Sequence, residues 1–144
     1  TAQLAKTLAQ AVNGDLYEIK PEQPYTAADL DWRNKNSRSS MEMNDKSFRP
    51  AVSGKLDNIS EYDVIYVGFP IWWYVAPTII NTFLEQYDLS GKTVIPFATS
   101  GGSGMGNTNA ELAPSCKGAV LKAGKRFSAS ASTSELKKWA ESLQ

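Results

Sequence analysis

The sequence predicts an α/β fold of three layers, a doubly wound parallel sheet with helices on both faces. Three observations carry that reading. Two short runs, Val64–Val67 (VIYV) and Lys92–Thr99 (KTVIPFAT), are continuously apolar and rich in β-branched or aromatic residues, as strands buried on both faces must be. Between them Ile79, Ile80, Phe83, Leu84 and Tyr87 recur at helical spacing, and such alternation of strand and helix yields parallel sheets. Each run also empties into a loop of unusual composition, Phe69–Tyr74 (FPIWWY) after the first and Ser100–Gly106 (SGGSGMG) after the second. In an open α/β sheet, loops at the carboxyl ends of strands are where ligands bind.

The elements follow in order. Thr1–Val12 places Leu4, Ala5, Leu8, Ala9 and Val12 on one face, and Asn13-Gly14 supplies a stop, which predicts an amphipathic helix. Asp15–Lys20 (DLYEIK) reads as a short strand ended by Pro21. Residues 21–61 are polar and broken, with a helix start at Thr26–Asp29 and a second turn at Ser37–Met43. A connection of that length either carries function or covers something, and the expectation is a surface excursion pinned to the core by Trp and Phe. The strand Val64–Val67 is expected to stop at Gly68, and Pro77 to open the next helix. Asp88–Lys92 is a turn, Thr108–Glu111 has the pattern of a capping box opening a short helix that Pro114 limits, and Ala119–Ser128 (AVLKAGKRFS) reads as an edge strand. Ser132–Glu135 caps a closing helix with Leu136, Trp139, Ala140 and Leu143 inward. The series opens on a helix, whereas a doubly wound domain is expected to open on a strand that delivers the chain into it.

Composition narrows the function. A chain of 144 residues makes one domain with a sizeable core. Its 15 basic and 15 acidic residues balance, so no long-range field draws it to nucleic acid or to an anionic membrane. With no bilayer-length apolar run and no basic-then-apolar leader, a cytoplasmic location is expected. The lone Cys116 has no partner for an internal disulfide, which suits a reducing compartment, and it reads as a small packed or surface thiol rather than a redox centre. Histidine is absent, which removes the usual general base, metal ligand and Ser-His pairing. Chemistry then belongs to a cofactor. Asp63, Glu85 and Lys92 read as solvated element ends without a role.

The stretch GFPIWWYVAPTIINTFLEQYDLSGKTVIPFATSGGSGMG resembles the flavodoxins, in particular bacterial flavodoxin-like proteins with a GxPxWW-type loop followed by a TSGGSG-type loop. The flavodoxins are the type case of the strand order 2-1-3-4-5 with flavin mononucleotide (FMN) at the switch point, and the resemblance implies that fold and cofactor here. It also implies a first strand ending in a Ser/Thr-Gly-rich phosphate loop, of which Thr1 looks like the last threonine. Strand 1 and nearly all of that loop lie outside residues 1–144, so a single flavodoxin-like domain shortened at its N-terminus is expected. Strand 1 is central in that order. Without it the ladder would have a gap flanked by unpaired edges, and most donors for a phosphate at the helix N-terminus would be missing, unless elements rearrange or exchange between protomers.

An isoalloxazine ring needs aromatic faces and, along its pyrimidine edge, backbone donors. Pro70, Ile71, Trp72, Trp73 and Tyr74 suit the faces, and Thr99, Ser100, Gly101, Gly102 and Ser103 the donors, since a glycine-rich backbone approaches a ligand closely. Adjacent residues of an extended chain point apart, so Trp72 and Trp73 cannot both fill one core. The expectation is an FMN-binding electron-transfer protein with a protein or small-molecule redox partner, its flavin tuned by ring stacking, backbone bonds and local charge. The alternatives are a flavin-dependent reductase of quinones or similar small acceptors, which the neutral charge favours, and a contact module without FMN.

Overall fold

The computed structural model describes residues 1–45, 47–72, 75–100 and 104–143. In chain order these form α1 (Ala2–Val12), β1 (Lys20–Pro21), α2 (Arg38–Asn44), β2 (Val52–Ser53), β3 (Val64–Pro70), α3 (Thr78–Glu85), β4 (Thr93–Thr99), α4 (Thr108–Leu112), β5 (Val120–Leu121), β6 (Lys125–Arg126) and α5 (Thr133–Ser142). Short 3-10 turns cover Ile59–Glu61 and Ala113–Cys116.

The expected α/β architecture is present. β3 and β4 pair in parallel from Val64↔Thr93 to Pro70↔Thr99, and β5 and β6 both pair in parallel with the far edge of β4. Side chains alternate across this sheet. Val67, Phe69, Val94 and Ala98 face Ile79, Ile80, Phe83 and Leu84 of α3. Ile95 and Phe97 face the other way, onto Leu4 and Leu8 of α1 and Leu136 and Trp139 of α5. The result is helices on both faces.

Several local expectations are corrected. β3 does not stop at Gly68 but runs on to Pro70. The glycine is required inside the strand, because a β-carbon there would fall against the Phe97 ring. Thr93 N–H donates to Asp63 O and Ile71 N–H to Thr99 O, both at 2.9 Å, so odd-numbered residues of β3 face β4. Pro70 therefore sits on the opposite side of the ladder and removes no bond to β4.

The expected edge strand Ala119–Ser128 is two short strands with a break. Lys122 N–H donates to Val94 O and Phe127 N–H to Ala98 O, so even-numbered residues of β4 serve this edge. The even residue between them is Pro96, which has no N–H to give. The Lys122 carbonyl instead accepts from Asn109 Nδ2 at 2.8 Å.

Of the strand expected at Asp15–Lys20, only Lys20 pairs, with Ser53 in the antiparallel β1–β2 pair. A strand needs a neighbour, and none stands beside 15–19. Val64, Tyr66 and Gly68 direct their N–H and C=O groups away from β4, and no strand among the described residues pairs with that edge. The edge opens onto a cleft of about 1390 Å³ whose other walls include Ala5, Val12, Leu16 and Ile19. The gap expected in the ladder lies there.

The excursion at 21–61 also differs from expectation. Trp32 and Phe48 are 66% and 45% exposed and pin nothing, while Ile59 is buried and Val52 and Leu56 pack against the α3 face. Thr26 and Asp29 exchange the two bonds of a capping box at 3.0 and 3.1 Å, yet only turns follow. α2 is capped by Ser37, whose Oγ accepts from Ser40 N–H at 3.3 Å. Ser132 caps α5 as anticipated, accepting from Glu135 N–H at 3.1 Å. Thr108 does not form its expected box, since its hydroxyl donates to the Met105 carbonyl. Among the described residues no helix is long and apolar enough to cross a membrane.

Candidate functional site

The carboxyl ends of β3 and β4 lie side by side, which brings together the starts of the two loops singled out in the sequence, at Ile71 and Ser100. Ile71 N–H donates to Thr99 O at 2.9 Å, extending the ladder one residue past β3. Trp72 then leaves the sheet and closes a tight turn with Val75, N–H of each bonded to O of the other at 2.9 and 3.1 Å. Of the residues expected in the site, Trp73, Tyr74, Gly101, Gly102 and Ser103 lie outside the described residues.

Trp72 is held from the excursion. The Tyr25 ring meets it edge-on, centroids 5.5 Å apart and planes at 82°. Arg38 lies over the Tyr25 ring with Cζ 3.8 Å from the centroid, and the Tyr25 hydroxyl donates to Glu42 Oε1 at 2.5 Å. Arg38 Nε donates to Glu42 Oε2 at 2.9 Å, so the buried carboxylate is paired. Burial, followed by the Glu42 bond, holds the Tyr25 phenol well above its ordinary range, and it stays protonated. Tyr25 was not anticipated, because a lone tyrosine in a polar segment carries no local signal.

Thr1, at the N-terminus of α1, reaches the same end of the sheet. Its Oγ1 lies 2.6 Å from Thr99 Oγ1, joining the first helix to the tip of β4. Pro70, Ile71, Trp72, Thr99 and Ser100 share a cavity of about 540 Å³ with Arg126, Phe127, Ser128 and Ala129. Pro70 and Trp72 also line the upper end of the larger cleft, where Thr1 stands. The 126–129 wall was missed: its strand was anticipated, but only the pairing of β6 with β4 carries its end into the site.

The residues present suit an anionic cofactor with a flat ring. The volume lies within the range of small-ligand sites. Trp72 supplies an aromatic surface, Thr1, Thr99 and Ser128 supply hydroxyls, and Arg126 supplies positive charge with no Asp or Glu among the described lining residues. Among the described residues no group of His, Cys, Asp and Glu is placed to hold a metal ion. The larger cleft differs in kind, since one long wall is the unpaired edge of β3.

A parallel sheet with a cofactor-sized pocket at the carboxyl ends of adjacent strands is the architecture of doubly wound α/β proteins that bind nucleotide-like cofactors. Within that class the chain belongs to the flavodoxin family: the family model described as Flavodoxin matches residues 1–143. A candidate flavoprotein of Bacteroides eggerthii is 50% identical, with a TM-score of 0.93 over 99% of this chain and 89% of that one. Another, from Bacteroides uniformis, is 52% identical with a TM-score of 0.92, covering 98% and 90%. A Lactobacillus acidophilus flavoprotein solved in complex with FMN shares the fold at a TM-score of 0.70 and 22% identity, covering 97% and 90%. A search of curated proteins finds no match.

Proposed function

We propose that the chain binds FMN at the carboxyl ends of β3 and β4 and passes electrons between redox partners, protein or small molecule. The observation that carries this is the convergence of Pro70, Ile71, Trp72, Thr99 and Ser100, from two loops far apart in sequence, on one cavity of about 540 Å³ beside Thr1. Bound FMN would supply the electron chemistry. The chain's own residues would do the rest: Trp72, braced by Tyr25, packs against the ring, and the loop from Thr99 to Ser103 gives donors to its polar edge. Thr1 stands where a helix N-terminus favours phosphate. Buried Cys116, its thiol pushed up by burial, stays outside the chemistry and suits a reducing compartment such as the cytoplasm.

The test is the visible spectrum of the purified chain after excess FMN and desalting. Retained bands of bound oxidised flavin, lost when Trp72→Ala is combined with Thr99→Ala, are the expected result. A colourless protein, even with a strand and phosphate loop fused ahead of Thr1, would sink the reading in favour of a contact module. A second reading, a flavin-dependent reductase of quinones or similar small acceptors, is favoured by the formal net charge of zero, since an acidic surface is what disfavours a reduced, anionic flavin. Oxidation of NAD(P)H with a small quinone and no partner protein separates the two.

A further inference from the structure

We propose that Arg126 is the counter-charge of this pocket and raises the potential of bound FMN by favouring its negatively charged reduced form. The inference rests on the FMN reading above and goes beyond it by assigning the sign of the tuning to one side chain. β6 fixes the residue's place: Arg126 pairs with Ala98, next to Thr99, and Phe127 N–H donates to Ala98 O at 2.8 Å. Phe127 is buried on the α1 and α5 face, so alternation sends Arg126 to the other side. Lys125, on the Phe127 side, lies with Nζ 5.2 Å from the Phe127 ring and does not line the pocket. Arg126 does line it, and it is the one charged residue among the described lining residues. No hydrogen bond or ion pair joins its guanidinium to another described residue.

The chemistry gives the direction. An oxidised flavin ring that takes up two electrons and one proton is left with a net negative charge at neutral pH. A guanidinium facing the ring stabilises that state more than the neutral oxidised one, and differential binding of two redox states is a shift in potential. If Arg126 tightens the reduced form about tenfold relative to the oxidised form, its removal lowers a two-electron potential by about 30 mV.

The experiment compares wild type, Arg126→Gln, Arg126→Lys and Lys125→Gln, with far-UV circular dichroism confirming the fold. Affinity for oxidised FMN is read from quenching of flavin fluorescence. The potential is read anaerobically against a reference dye, with dithionite as electron donor. Removing the positive charge should weaken binding of oxidised FMN to Arg126→Gln and of reduced FMN still more, so the potential falls, with Arg126→Lys close to wild type and Lys125→Gln unchanged in both. The wild-type potential should also fall as salt rises, because Arg126 is exposed and its field is screened. If Arg126→Gln does not fold, Arg126→Lys together with that salt dependence decides. FMN bound with an unshifted potential in Arg126→Gln, or an equal shift in Lys125→Gln, overturns the role of Arg126 and leaves FMN binding standing. A wild type that binds no FMN overturns both, and its colourless spectrum tells that failure apart.

Discussion

Gly68 shows how tightly single residues are constrained in the central strands. Any β-carbon there meets the Phe97 ring from the neighbouring strand, and both strands are packed between helix layers that leave the ring little room. Gly68→Ala should lower stability by about 1–3 kcal/mol, the usual range for overpacking a core. Urea unfolding checks this, and Phe97→Leu in the same chain should recover part of the loss; an unshifted midpoint would mean that the ring moves aside freely. Asn109 illustrates the opposite problem, a carbonyl in need of a donor. Removing its amide leaves the Lys122 carbonyl without the bond that Pro96 cannot supply, so Asn109→Ala should cost about 1–2 kcal/mol. Its cost should be smaller in a Pro96→Ala background, where a backbone N–H is restored at that rung. Equal costs in both backgrounds, measured as a double-mutant cycle, would break the link.

Among the elements, β3 has two unlike edges. Ile65, Val67, Phe69 and Ile71 turn their backbone groups to β4, while Val64, Tyr66 and Gly68 turn theirs to the cleft. Amide hydrogen exchange on the 144-residue chain should follow that alternation, with Tyr66 and Gly68 exchanging faster than Val67 and Phe69. Uniform protection along β3 would mean that something covers the edge in solution, through an exchanged element or a second copy. α1 ends as its sequence suggests, but Asn13 rather than Gly14 takes the left-handed conformation, at φ 55°. β5 and β6 are separated at the rung of β4 where Pro96 has no N–H to give.

The whole molecule carries balanced charge and no histidine, which sets its response to pH. Bonds from Ser47 hold Asp45 below the ordinary carboxylate range, those from Ser90 do the same for Asp88, Thr26 for Asp29, and Arg49 for Glu85. A carboxyl depressed in the folded state binds fewer protons there than in the unfolded chain. Its contribution is therefore present above the ordinary value and lost as pH falls through the folded one. These groups are largely exposed, so each contributes little. The urea midpoint should be nearly flat between about pH 5 and 7, where histidine is the only side chain that ordinarily titrates, and should fall below about pH 4. Tyr25 acts at the other end: its phenol is raised in the folded state, so its contribution is lost as pH climbs above the ordinary tyrosine value near 10.0. A midpoint that moved through pH 6–7 would contradict this account.

The residues alone determined most of the elements and singled out the stretches proposed to form the site. α1, α3, α5, β3 and β4 were legible because helix and strand periods, caps and turn residues act within a few positions of one another. The Trp and Gly loops stood out as candidates because their chemistry is concentrated in contiguous stretches placed directly after strands. Only the tertiary structure decided that β3 continues through Gly68, that Asp15–Ile19 finds no strand partner among the described residues, that Pro96 splits the last edge, that Tyr25 meets Trp72 and that Arg126 lines the cavity. Each of those depends on what lies across a ladder or against a ring, at separations of tens of residues. A side chain's period is written in its neighbours along the chain, but its partners are chosen by the fold.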